Sequence, residues 1–70
     1  MKTHYTAVIK QDGTWWIGWI EEFPGVNCQE ATQEELIASL REALSEALVF
    51  NREEARAAAG SGYSEIKIAV

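Results

Sequence analysis

One cysteine, one proline and few basic side chains bound this chain before any pattern is read. Cys28 has no second cysteine to pair with, so an intrachain disulfide is excluded. With His4 it still falls short of the four ligands of a structural zinc site. Six Lys and Arg stand against eleven Asp and Glu, leaving a net charge of −5. Nucleic-acid binding draws its affinity from clustered cations that displace phosphate counterions, and the cations here are scattered. A basic protein partner fits that charge; direct nucleic-acid binding does not. No apolar run approaches the roughly 20 residues of a membrane span. Residues 1–20 carry His4, Lys10, Gln11 and Asp12 among their apolar positions, so no signal-peptide core exists. The expectation is a soluble, cytoplasmic protein with no cofactor, no bound metal and no membrane contact. Its 70 residues make a single domain, 1–70. A domain of this size buries only about 60% of the surface its unfolded chain exposes, which leaves it marginally stable alone. With disulfide and metal excluded, oligomerisation is the remaining support.

What is present is strand patterning followed by one helical pattern. Tyr5, Ala7 and Ile9 alternate with His4, Thr6, Val8 and Lys10, predicting a first strand over residues 3–10. Asp12-Gly13 supplies a hairpin turn signal. Residues 15–22 read as a second strand with Trp15, Ile17 and Trp19 on one face and Trp16, Gly18 and Ile20 on the other, so both faces are apolar. Pro24 fixes φ and lacks a donor while Gly25 accepts a positive φ, so the pair ends that strand. Residues 26–30 are compatible with a third, edge strand. Thr32 with Glu35 forms a capping box that opens a helix from Gln33. Its apolar stripe is Leu36, Ile37, Leu40, Ala43, Leu44, Ala47 and Leu48. The helix ends near Asn51 or continues through residues 52–59, which are good helix formers, and the pattern leaves both open. After Gly60-Ser61-Gly62, Ile66, Ile68 and Val70 alternate with Glu65, Lys67 and Ala69, predicting a last strand over residues 63–70. The order β-β-β-α-β is that of an α+β domain. Its final strand is expected parallel to the first through a right-handed crossover, completing a four-stranded mixed sheet with the helix on one face.

The chemically capable residues read as structure rather than as a site. His4 titrates in the range of a general base, but no cysteine or serine clusters with it. Cys28 stands four residues before the helix start, yet a reactive thiol needs a base or a helix N-terminus close by. Asp12, Glu21, Glu22, Glu30, Glu34 and Glu35 fall in turns or on an outward helix side, where convergence on Mg²⁺ is not expected. The three tryptophans lack the basic groove that accompanies base stacking, so they read as core or protein interface.

Residues 15–20, Glu22-Phe23-Pro24-Gly25, Gln29, Thr32, Glu34-Glu35 and Leu40-Arg41-Glu42-Ala43-Leu44 together resemble the HicB-like antitoxin family. In that family an aromatic strand runs into a Pro-Glu-Leu-Pro-Gly-Cys type turn, a Gln-Gly-Asp-Thr segment and a helix beginning Glu-Glu-Ala. The resemblance covers roughly residues 5–50. Val26 stands where the family often has cysteine, Glu30 and Ala31 replace its Gly-Asp, and Leu36 replaces the helix alanine. The resemblance implies a partial ribonuclease H-like fold and a non-enzymatic antitoxin. That antitoxin would cover the RNA-binding surface and catalytic histidine of a small basic HicA-like toxin that cleaves mRNA. The C-terminal DNA-binding domain of many relatives has no counterpart before Val70, so operon repression is not implied.

The alternative is an orphan homo-oligomeric structural or regulatory module with no toxin. A small enzyme sited between subunits is disfavoured by the lack of a spaced nucleophile, base and orienting group. One helix covers one sheet face, so tryptophan is left over on the other. Trp15, Trp16, Trp19, Ile20 and Phe23 are the expected protein interface, with Pro24, Gly25, Thr32 and Glu35 as structural turn and cap. Self-association as a dimer or a tetramer would cover the leftover face, unless residues 52–59 fold back over it.

Overall fold

A computed structural model describes residues 4–69. Three strands and one helix follow in order: β1 (Ala7–Asp12), β2 (Trp15–Ile20), β3 (Asn27–Glu30) and α1 (Gln33–Ala59). The strands form an antiparallel meander in the order β1-β2-β3. This is an α+β architecture with a single helix against a three-stranded sheet.

The turn chemistry acts where the residue types demand it. Asp12 pairs with Trp15, leaving the two-residue loop Gly13-Thr14 between β1 and β2. After Ile20 the chain leaves the ladder, and the Phe23 N–H donates to the Ile20 carbonyl at 3.3 Å. A second turn follows, in which the Val26 N–H donates to the Phe23 carbonyl at 3.4 Å. Pro24 fills its second position and Gly25, at φ +95°, its third, which is the residue order of a type II turn. The expected second strand over residues 15–22 therefore stops two residues early, because Glu21 and Glu22 belong to these turns. They still tie the sheet together: Glu21 N–H donates to the Thr6 carbonyl at 2.9 Å and Glu22 Oε1 accepts from Thr6 N–H at 2.8 Å.

At the helix start the Glu35 N–H donates to Thr32 Oγ1 at 3.1 Å, the expected N-cap bond. The returning half of the box differs, since Glu35 Oε1 accepts from the Thr32 hydroxyl at 3.0 Å. Glu34 and Glu35 also place negative charge at the positive end of the helix dipole. The helix then runs unbroken past Asn51 to Ala59, because nothing in residues 52–59 stops it before Gly60. Residues 52–59 are thus helical and exposed, and they do not cover the second sheet face.

The register decides which face the helix meets. Ala7 pairs with Ile20, Ile9 with Gly18 and Gln11 with Trp16, and paired residues share a face. That face carries the core: Leu36 and Leu40 are buried under the helix at 0% and 2% exposure, beside Ile20 and Val26. Ile9, Trp16, Phe23, Cys28, Ala43, Leu44 and Ala47 pack around them. Each fully buried aliphatic side chain contributes about 1.5–3 kcal/mol. Within the expected stripe, Ile37 is the exception, since it lies at the stripe's margin and is exposed. Ser39 Oγ donates to Glu30 Oε2 at 2.7 Å, binding the helix to β3 through a half-buried pair.

Two expectations change here. The first strand lies at Ala7–Asp12 rather than residues 3–10, because β1 pairs as far as the hairpin loop; Thr3 lies outside the described residues. The last strand of residues 63–70 is not part of the sheet, which has three antiparallel strands rather than four mixed ones. Residues 63–68 lie beside Arg52, Ala55, Arg56 and Ala59, beyond the sheet, and Val70 lies outside the described residues.

Gly18 sets the separation of helix and sheet. A Cβ there would stand 3.0 Å from Ile9 Cγ2, 3.0 Å from the Val8 carbonyl oxygen and 3.1 Å from Leu40 Cδ1. The carbonyl cannot move without disturbing the β1–β2 ladder. Gly18→Val is expected to overpack this contact and cost about 1–3 kcal/mol. Urea denaturation would register a lower midpoint, and an unchanged midpoint would contradict the packing described.

Candidate interaction surface

With Trp16, Gly18 and Ile20 committed to the helix side, alternation sends Trp15, Ile17 and Trp19 to the other face. Their cross-strand neighbours on β1 are Asp12, Lys10 and Val8, and on β3 Ile17 and Trp19 meet Gln29 and Asn27. Trp15 and Trp19 remain 48% and 41% exposed and no described element lies over them. The result is an apolar stripe along the central strand with a mixed polar margin. One acid and one base, Asp12 and Lys10, flank it, so this face carries little charge of its own.

The five residues expected as an interface therefore do not share a surface. Trp15 and Trp19 lie on the open face. Trp16, Ile20 and Phe23 lie on the helix side, where Ile20 is buried and the other two pack half-buried against the core. The hairpin pairs Ile9 with Gly18 and Ala7 with Ile20, so Ala7 and Ile9 share the helix side, and Val8 and Lys10 share the face of Trp15, Ile17 and Trp19. Pro24, Gly25, Thr32 and Glu35 occupy the turn and cap positions foreseen for them.

The negative charge collects elsewhere. Glu34, Glu42 and Glu46 are exposed along α1, with Glu53 and Glu54 on its distal half. An acidic helix surface and an apolar sheet surface thus occupy opposite sides of one thin body measuring 51 × 23 × 15 Å. Missing from the sequence reading are Val49 and Phe50, about half exposed, which line a shallow hollow with Ser45, Glu46 and Glu53. They lie past Ala47, the last helical residue packed on the core, so helical periodicity alone could have marked them as outward.

The titratable groups offer little chemistry. Burial first and the nearby Glu30 carboxylate second push the Cys28 thiol above its usual range. Both effects disfavour the thiolate, which is the nucleophilic form. Among the described residues no group of three His, Cys, Asp or Glu is placed to hold a metal ion. No helix there is long and apolar enough to cross a membrane. Comparison of the chain with models of protein families, with curated proteins and with solved structures finds no match.

Because the folded environment raises its pKa, Cys28 should be alkylated by iodoacetamide more slowly in the native protein than in urea at pH 8. The native rate should climb as pH rises toward the shifted pKa. Equal native and unfolded rates would show that the thiol is not protected.

Proposed function

We propose that this chain is a HicB-like antitoxin, a binding protein that neutralises a small basic HicA-like ribonuclease by covering its RNA-binding surface. The observation that carries the reading is where the resembling residues fall. Residues 15–20 make the central strand, Glu22-Phe23-Pro24-Gly25 the turn pair and Thr32 with Glu35 the helix cap, so the resemblance coincides with the framework of the fold. On this reading the meander and helix are the core of a partial ribonuclease H-like fold. The chain contributes no catalytic group; it acts in the cytoplasm by occupying its partner. A net charge of −5 supports a basic partner, and the exposed carboxylates of Glu34, Glu42 and Glu46 would steer its approach.

The test asks whether a small basic HicA-like protein is encoded beside this chain and, with that protein in hand, measures its cleavage of an mRNA. Cleavage should fall to background once the chain saturates the toxin, and undiminished cleavage would overturn the proposal. Association should also slow with added salt, since the screening length shrinks from about 10 Å at 0.1 M to about 3 Å at 1 M. A rate flat across that range would remove the steering argument.

A second reading, the orphan self-associating module, is favoured by one observation: the Trp15–Ile17–Trp19 stripe is uncovered in the single chain. Facing copies would bury it about a two-fold axis. Replacing Trp15 and Trp19 together by serine should then convert an oligomer to a monomer in sedimentation equilibrium. An oligomer indifferent to the double substitution would exclude that face.

A further inference from the structure

The chain after α1 has strand character without a strand partner. Ile66 and Ile68 alternate with Glu65, Lys67 and Ala69, the period of a half-buried strand. Yet they are 81% and 82% exposed, more than any other large apolar side chain described. The segment is held to the helix by a polar contact, in which Arg56 Nε donates to Glu65 Oε1 at 2.8 Å. Its apolar side chains do not close against that helix. Between residues 63–68 and Arg52, Ala55, Arg56 and Ala59 there remains an open hollow of about 640 Å³.

Its own sheet is out of register with it. Ala47 is the last helical residue on the core, so the helix overhangs the sheet by about 18 Å from there to Ala59, at 1.5 Å per residue. Residues 63–68 return beside that overhang and not beside β1. Meanwhile, among the described residues, β1 pairs with β2 alone, which leaves its outer edge open. The helix leans over β3 and β2 and touches β1 least, leaving Ala7 exposed and Ile9 half-buried on the helix side.

We infer that residues 65–68 add as an antiparallel strand to the free edge of β1 in a second copy of this chain, reciprocally, giving a two-fold dimer. The occupant is set by complementarity. With Glu65 opposite Lys10, Ile66 falls opposite Ile9, Lys67 opposite Val8 and Ile68 opposite Ala7. Both isoleucines then lie on the helix side, where β1 is bare, and Glu65 exchanges the Arg56 cation for that of Lys10. Shifting by one residue would turn both isoleucines to the other face and set Glu65 against Ile9 or Gln11, so the register is specific. The β3 edge offers no such match, because Asn27, Cys28, Gln29 and Glu30 present no cation to Glu65. Edge pairing of this kind supplies main-chain hydrogen bonds to the outer edge of β1 and to an extended segment that lies outside the sheet in each copy.

The full chain should sediment as a dimer of its 7.8 kDa protomer at micromolar concentration. The double variant Ile66→Asp, Ile68→Asp should be monomeric with an unchanged circular dichroism spectrum, because neither side chain contributes to the buried core. As an independent readout, chains carrying Lys10→Cys and Glu65→Cys are mixed and oxidised. They should form a disulfide-linked heterodimer in preference to a mixture of Glu65→Cys with Glu42→Cys. A monomeric parent chain, a dimer that survives Ile66→Asp, Ile68→Asp, or cross-linking without preference for Lys10→Cys would each overturn the inference. A dimer lost only on substituting Trp15 and Trp19 would assign association to the open sheet face instead.

Discussion

The fold rests on the close approach of Leu40 to the backbone of β2 at Gly18. A missing side chain at the centre of the middle strand lets the helix descend until Leu40 Cδ1 stands 3.1 Å from where a Cβ would be. That depth is what buries Leu36 and Leu40 almost completely in a chain with so little interior. Trp16 and Ile20, two residues either side, then become the walls of the groove that the helix occupies. The same contact fixes the reverse side. Once Gly18 faces the helix, strand alternation leaves Trp15, Ile17 and Trp19 no choice but the open face.

Much of this architecture is local chemistry and was legible as such. Asp12-Gly13, Pro24-Gly25 and Thr32 with Glu35 act through their immediate neighbours, so a residue string suffices to place two turns and a helix start. Which face of β2 meets the helix was not legible from hydrophobicity, because both faces carry tryptophan and isoleucine in equal measure. The discriminating signal was the gap in one of them: a helix can approach a sheet closely only over a small residue, and Gly18 is the only one in β2. Helix length went undecided because residues 52–59 contain helix formers that bury nothing, and propensity alone carried the helix to Gly60.

The tail shows the opposite limit. Residues 65–69 alternate as a strand would, yet they form none in the structure: a strand is defined by a neighbour, and periodicity carries no information about which edge supplies one. The extension of the helix past Asn51 to Ala59 carries the tail away from its own sheet, so helix length and tail placement are one question. Had the helix ended near Ala47, the tail would have begun beside the sheet. Helix length is thus the variable that separates a strand added within one chain from a strand left exposed.

Charge and apolar surface are segregated in a way that bears on partnership. Six exposed carboxylates, Glu34, Glu35, Glu42, Glu46, Glu53 and Glu54, lie on α1 with Arg41, Arg52 and Arg56 among them, whereas the Trp15–Ile17–Trp19 stripe lies behind the sheet with only Lys10 and Asp12 as its paired charges. Long-range attraction therefore acts on one side of the body and short-range burial on the other. A basic partner drawn to the helix would meet glutamates and the half-exposed Val49 and Phe50, not the tryptophans. The sheet face, poor in charge, exerts little pull at distance and gains only on contact, which suits a surface met by a like-charged copy of the same chain. Two copies each at −5 repel, so any pairing between them must place α1 outward and bring the sheets or their edges together. That geometry leaves both acidic helices free, and self-association and capture of a basic partner need not compete for the same residues.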